Sequence, residues 1–488
     1  MKKTLSLLLA LILVLGVCPL ACADELEPAT FSCFVSIPAT VEVENNKVLN
    51  WFEDLTNTKF DFVVNSGEEM LSLLLNTGDY PEIIINNFSN NDIVNYGVES
   101  QIFVPIDAYI DDYMPNVSAY LKEHESFKRS ITAPDGHIYG IPQMPCGLAH
   151  GSVTAKLWIN SQWLENLGLE MPQTTDELYD VLVAFRDRDP NGNGIQDEIP
   201  LSGAIKTWWA DAHLAIMNSF VRADSGSWMD VEDGKVKFVA NTEEFKQGLY
   251  YLKKLYDEKL LDPACFTQDL NQLMQLGYNK DVAILGCYAA GHLSMVVDTT
   301  DVERSRQYEV CVTPASPSGR RIAFYNDPNN VSGTVFAITD ACHDVPRALQ
   351  TIDAMFDEEN SLIFANGLRG TTWDYAEEGM LDFDGNQATY MLIGSTDSVN
   401  RDISAELRDN AWDPFRNFCD TSRNKFWVGS EDVYANDAGA YEYRLYTETA
   451  KYLPYLPEET MPVFWVDQDV AEEHASLSVI IVDYVNQA

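Results

Sequence analysis

The chain has 488 residues, too many for one hydrophobic core, so two or three packing units are expected. Hydrophobic residues make up 46% and aromatics 11%, which excludes disorder as the default state. The net charge of −43 opposes nucleic acid and anionic membrane as partners, since both are held through Lys and Arg, and argues more weakly against a polyanionic substrate.

The first residues read MKKTLSLLLALILVLGVCPLACADE. Lys2 and Lys3 precede an apolar stretch, Leu5 to Val17, that is short for a membrane span. Ala21-Cys22-Ala23 then supplies a small-x-small site. Residues 1–23 are therefore expected to be a signal peptide cut before Asp24, with lipidation at Cys22 or Cys18 as the second reading. The protein is expected outside the cell, secreted or tethered to the outer face of the membrane. The other cysteines are scattered without a CxxC pair, which predicts neither a zinc site nor a disulfide scaffold. Cys287 and Cys311 sit in apolar runs and read as small core residues.

In chain order, Phe31–Ser36 reads as a strand, residues 43–56 as a helix and 59–64 as a strand. Next, SGEEMLSLLLNTG has helical spacing at Met70, Leu73 and Leu74 and stops at Gly78. EIIIN (residues 82–86) is a wholly apolar run, the mark of a strand buried on both faces. This alternation is the βαβ rhythm of a parallel sheet. Asp135-Gly136 within residues 132–143 predicts a hairpin. Thr174 and Glu177 form a capping box for a helix whose apolar face is Leu178, Val181, Leu182 and Phe185. Residues 243–261 predict a long amphipathic helix, 281–288 and 333–339 buried strands, and 346–364 a helix with Pro at its start. The last third is richer in helix and in Trp and Tyr.

DPNGNGIQDEIP follows the capping-box helix directly and is dense in oxygen-bearing side chains. Ca²⁺ takes six to eight hard oxygens from a flexible loop. One register starts at Asp187 and ends at Glu198, but leaves Gly194 where an apolar residue is usual. The other starts at Asp189 and uses Asp189, Asn191, Asn193, the Ile195 carbonyl, Asp197 and Glu198, with Gly192 and Gly194 bending the chain between ligands. The second uses every polar side chain and is preferred. Such a loop would be a structural brace, since saturated coordination leaves no place for substrate.

GxSxG, HExxH, Walker and GxGxxG motifs are absent from the sequence, and its seven histidines are not paired at ligand spacing. Carboxylates are too numerous for any one pair to be singled out as a glycosidase couple. Aromatic residues remain. Trp158 and Trp163 read as core. Trp209 in KTWWAD, Tyr288 in GCYAAG, Trp373 in RGTTWDY and Trp412 in NAWDPF stand beside glycines or polar turns. Flat rings of this kind stack on sugars, so these four are the candidate ligand contacts.

The segment KLWINSQWLENLGLEMPQTTDELYDVLVAFRDRDPNGNGIQDEIPLSG, with LLNTGDYPEIIIN, PDGHIYGIPQMP and NGLRGTTWDY, resembles the family-1 extracellular solute-binding proteins of ABC transporters. The likeness is to the carbohydrate-binding branch that includes alginate-binding and Gram-positive lipoprotein-type proteins, and it covers nearly the whole chain after residue 23. It departs at Gly367-Leu368-Arg369-Gly370, where relatives commonly carry GIEG, and at its end, where many relatives continue with further helices.

The resemblance implies an α/β, periplasmic-binding-protein-like fold of type II, two lobes joined by a multi-crossing hinge. The N-terminal lobe is expected to hold 24–149 and 334–368, and the C-terminal lobe 150–333 and 369–488. It implies a structural Ca²⁺ on the preferred register, an oligosaccharide ligand, membrane permease subunits as partners, a monomer and no enzymatic activity. The alternatives are a secreted polysaccharide lyase or glycosidase with the same aromatic cleft, and a glycan-binding sensor or adhesin without a transporter.

Overall fold

The computed structural model describes residues 26–487, except 37–42, 66–67, 146–149, 206, 208, 224–227, 328–330, 395–410, 413–414, 416–417, 420–424, 431 and 467. The expected signal peptide lies outside the described residues. In chain order the strands are β1 (Ala29–Ser36), β2 (Thr58–Asn65), β3 (Ile83–Phe88), β4 (Leu157–Asn160), β5 (Ile199–Ser202) and β6 (Met229–Glu232). They continue with β7 (Lys235–Phe238), β8 (Leu285–Ala289), β9 (Tyr308–Cys311), β10 (Thr334–Ile338), β11 (Trp373–Tyr375) and β12 (Tyr390–Leu392).

Two four-stranded sheets define two α/β lobes. The first has the order β10-β3-β1-β2, with β1, β2 and β3 parallel and β10 antiparallel to β3. Its parallel part is the βαβ rhythm read from the sequence. The helix Lys47–Thr56 starts where Asn46 Oδ1 accepts from the N–H groups of Val48 and Leu49, and it lays Val48, Leu49 and Phe52 on the sheet. Ile83, Ile84 and Ile85 are buried on both faces of β3. Ile83 and Ile85 join one core cluster and Ile84 the opposite one, as period-2 alternation requires.

The second sheet has the order β5-β8-β4-β9, with only β5 and β8 parallel. Its faces alternate in the same way. Leu157, Ile159 and Cys287 pack on one side, and Trp158, Tyr288 and Tyr308 on the other. Trp158, Trp163, Cys287 and Cys311 are buried, as their apolar settings predicted. The helix Thr175–Asp187 carries the reciprocal Thr174–Glu177 capping box and buries Leu178, Val181, Leu182 and Phe185.

Several sequence expectations are corrected. The Asp135-Gly136 turn forms, with Gly136 at φ +89° and its N–H on the Ala133 carbonyl, and the Ala133 N–H donates across it to the His137 carbonyl, but the flanks pair no further as strands. The downstream flank pairs with β10 instead, where Val335 N–H donates to the Ile141 carbonyl. The long helix expected over 346–364 is two helices, Val345–Met355 and Glu358–Asn366, because Asp357 caps the second.

The lobe division moves as well. Trp373, Phe383, Tyr390, Trp412, Phe415, Phe418 and Phe426 pack into the first lobe's core, with Phe415 ring centroids 5.9 Å from Phe52 and 5.4 Å from Phe364. Much of 369–488 therefore belongs to the first lobe, since the apolar residues of β1 and its helices need these rings to complete their cover. The helix Ala438–Ala450 sits at the junction. Tyr443 and Tyr446 pack against the first core, while Tyr441 and Leu445 enter the second. The chain then returns to the first lobe at Trp465 and touches the second again at Val485.

Candidate functional site

A cavity of about 610 Å³ opens between the lobes. The first lobe contributes Asn87 and Phe88 from the carboxyl end of β3, and Thr334 and Val335 from β10. The second contributes Ser152, Arg222, Tyr325, Asn326 and Asp327, and the crossing segments add Gln143, Pro457, Thr460 and Met461. A crevice outside the carboxyl ends of parallel strands is where open α/β sheets bind ligands.

The walls are positioned by local hydrogen bonds. Gly333 enters β10 at φ +79°, and a Cβ there would stand 2.0 Å from the Phe88 carbonyl oxygen, so only glycine closes this corner. Its N–H donates to Asn90 Oδ1 (2.7 Å), and Asn90 Nδ2 donates to the Phe464 carbonyl (3.0 Å). Asn326 N–H donates to the Ser152 carbonyl (2.9 Å), and Thr460 Oγ1 donates to Asp327 (2.8 Å). Lys156, buried just before β4, donates to the Val153 and Gly291 carbonyls. Burial brings its ammonium down to about 7. Burial, followed by the Asp327 carboxylate, raises the Tyr325 phenol.

Arg222 leads from this cavity to an aromatic pair. Its guanidinium lies 4.8 Å from the Phe324 ring and donates to the Met229 carbonyl (3.0 Å). Trp209 meets Phe324 at 4.2 Å between centroids. Trp209 is half-buried and holds φ +53°, a left-handed backbone that is strained for a side chain of this size. Two residues on, Asp211 begins the helix Ala212–Met217 without capping it. Burial pushes its carboxyl up to about 6.

The other three rings expected to face ligand do not. Tyr288, Trp373 and Trp412 have 0% exposure. Tyr288 packs edge-on to Tyr308, and Trp373 Nε1 donates to the Gly367 carbonyl (2.8 Å). Trp412 lies between Phe62 and Phe415. Their faces are taken up by neighbouring side chains, so the expectation of open stacking surfaces is corrected for all three. The sequence reading missed Asn87, Gln143, Arg222 and the run Tyr325-Asn326-Asp327. Only the last, an aromatic followed by an amide and a carboxylate, carried a local signal.

The loop after the capping-box helix is ordered by its own side chains. Asp187, ahead of the loop, pairs with Arg186 (2.7 Å). Asp189 is left-handed at φ +47°, and its carboxylate accepts from the N–H groups of Asn193 and Gly194. Asn191 and Asn193 both turn amide nitrogens toward Asp197 (3.1 and 3.0 Å). Ile195 is exposed. Among the described residues no group of three or more His, Cys, Asp or Glu side chains is gathered as a metal site. Yet both Glu198 carboxylate oxygens are buried without a partner. Burial raises that carboxyl, and the Asp197 and Asp189 carboxylates raise it further. The orphaned Glu198 carboxylate near Asp189 and Asp197 is hard-oxygen chemistry of the kind a divalent ion takes, while the Asn191 and Asn193 amide oxygens are held by the Asn193 and Ile195 N–H groups. Asn191 Nδ2 also reaches the Ala283 carbonyl near β8 (3.2 Å), so the loop ties the helix to the sheet.

Two α/β lobes with a polar, aromatic-edged cavity between them define a cleft-type binding protein. The comparisons give the family: residues 42–361 match the model of the bacterial extracellular solute-binding proteins, and this chain belongs to that family. It is 31% identical over 365 residues, 73% of its length, to the fructooligosaccharide ABC transporter substrate-binding protein FusA of Streptococcus pneumoniae. The chain spans 63% of that relative's length.

Solved structures agree on the fold, which is type II periplasmic-binding-protein-like. FusA in complex with kestose superposes with a TM-score of 0.69 at 24% identity, covering 94% of this chain and 91% of FusA's. A solute-binding protein of Bifidobacterium longum infantis described as HMO-binding gives 0.71 at 21% identity, with 94% and 92% covered. The alginate-binding protein AlgQ2, solved without calcium ion, gives 0.64 at 22%, with 94% and 91% covered. FusA has also been solved as an EF-hand mutant.

Proposed function

We propose that this protein is the extracellular substrate-binding component of an ABC transporter, which captures a neutral oligosaccharide between its lobes and delivers it to membrane permease subunits. The observation that carries this reading is the interlobe cavity, walled from both sides by amide, hydroxyl and guanidinium groups and linked through Arg222 to the Trp209–Phe324 pair. Amides and hydroxyls match sugar hydroxyls, and ring faces match the apolar face of a pyranose or furanose. FusA's kestose complex and the HMO-binding description of the Bifidobacterium protein support the ligand class. Asp327 is the only carboxylate among the described residues that line the cavity, whereas glycoside hydrolysis uses two, which favours binding over catalysis.

In this reading the protein is exported, secreted or tethered, and acts as a monomer. Residues 189–198 hold a structural Ca²⁺ through Asp189, Asn191, Asn193, the Ile195 carbonyl, Asp197 and Glu198. The ion would fix the loop against the sheet and neutralise the carboxylates gathered there. Ligand stabilises the closed lobes through contacts made to both at once. A thermal-shift screen over neutral oligosaccharides tests the function. A rise in melting temperature with at least one glycan, without release of new reducing ends, is expected. Release of reducing ends or unsaturated products would replace binding with catalysis.

A further inference from the structure

We propose that the ligand path does not end in the interlobe cavity but continues past Pro457 into a second groove, which takes the outer residues of a longer neutral oligosaccharide. This rests on the transport reading above. The groove measures about 940 Å³ and is walled by the β6–β7 hairpin, the segment around Arg320 and Arg321, and the strap from Pro454 to Glu459. Pro457 lines both spaces. On the other side, Arg222 of the inner cavity donates to the Met229 carbonyl, one residue before Asp230 of the groove.

The groove has a built platform. The Arg321 guanidinium lies over the Tyr455 ring at 4.6 Å, and it also donates to the Gln173 carbonyl. Tyr455 is fixed from below, because its carbonyl accepts from the Ala323 N–H (3.0 Å). A planar cation stacked on a phenol gives a flat surface edged with N–H donors, which suits a sugar ring and its hydroxyls. Arg320 pairs with the buried Asp230 (2.7 Å), while its Nε is buried without a partner. Five Asp and Glu residues against two Arg line the groove, so it offers acceptors to hydroxyl donors and repels a polyuronate.

The test uses the full chain and calorimetry with size-fractionated neutral fructooligosaccharides and neutral milk oligosaccharides. For the ladder that binds, longer members are expected to bind about tenfold tighter than the shortest binding member, the effect of one stacked contact. Arg321→Gln and Tyr455→Ala are each expected to remove that gain. The shortest binding member reports on the inner cavity and on folding, and its affinity should stay at the wild-type value. Affinity independent of length, or a length gain that survives both substitutions, overturns the groove while leaving the transport reading intact. Loss of affinity for every member alike means the platform acts through the fold, and also overturns it. A protein that binds no member of either ladder overturns the transport reading and the groove with it.

Discussion

Trp209 stands beside polar residues near a turn, and so do Trp373 and Trp412, yet the fold uses the two regions for opposite purposes. Trp209 stays half-buried against Phe324, the ring that Arg222 of the interlobe cavity also meets. Trp373 and Trp412 are enclosed in the first lobe's core, one against Tyr390 and the other against Phe62 and Phe415. Near neighbours in the chain do not by themselves explain the difference. The pairing of β11 with β12 closes over Trp373, and Phe62 of β2 together with the nearby Phe415 covers Trp412. A left-handed backbone does not by itself keep a ring exposed, since Trp228 holds φ +52° and is buried against Phe245.

The largest effect should come from the enclosed region. Trp412→Ala is expected to cost about 3–5 kcal/mol, read as a lower urea midpoint. An unchanged midpoint with lost glycan binding would return Trp412 to the cleft and break the comparison. The loop from Asp189 to Glu198 shares a lobe with Trp209, and with the proposed Ca²⁺ it should behave like the core. At a hundredfold excess of Ca²⁺ over its Kd, about 2.7 kcal/mol of stabilisation is expected, and EDTA should remove it. Glu198→Gln should blunt that response. A melting temperature indifferent to EDTA, with no calcium found by elemental analysis, would take the ion out of the loop.

Trp209→Ala should do the reverse of Trp412→Ala. Glycan affinity is expected to fall about thirtyfold, the effect of losing a contact of roughly 2 kcal/mol, while stability changes by less than about 1 kcal/mol. Equal losses in both would make Trp209 a core residue.

The smallest effect concerns Asp211. Its carboxyl is pushed up to about 6 from an ordinary 3.8. Between these values the folded state keeps a proton that the unfolded state gives up, so stability falls as pH rises through that window. The penalty is fully present above about pH 6 and absent below about pH 4. Asp211→Asn should therefore stabilise the protein at pH 7 by ~1 kcal/mol, discounted because the group is partly exposed, and leave it unchanged near pH 4. A gain that persists at pH 4 would point to a cause other than ionisation.

The elements legible in the sequence are those whose determinants lie close together. Thr174 and Glu177 are one helical turn apart, and their reciprocal capping bonds form as read. The three isoleucines of β3 announce burial on both faces because no polar residue interrupts them. The loop from Asp189 to Glu198 was legible as a turn-rich segment because Gly192 and Gly194, both at positive φ, fall within one short stretch of chain. Less local features were misread. The hairpin expected at residues 132–143 depends on which strand its flank meets, and β10 takes that flank instead. The lobe assignment of Trp373, Tyr390, Trp412 and Phe426 depends on which core lacks cover.

By itself, then, the sequence determined the parallel start of the first sheet, the capped helix and the oxygen-rich loop, because short-range hydrogen bonding and side-chain periodicity act over a few residues. Only the tertiary structure decided which aromatic rings face the cleft and which chain segments wall it. The cavity joins residues as far apart as Asn87, Arg222, Asn326 and Thr460. Burial of a ring is settled by the whole set of surfaces competing to cover it, and that competition is resolved only once both lobes have packed.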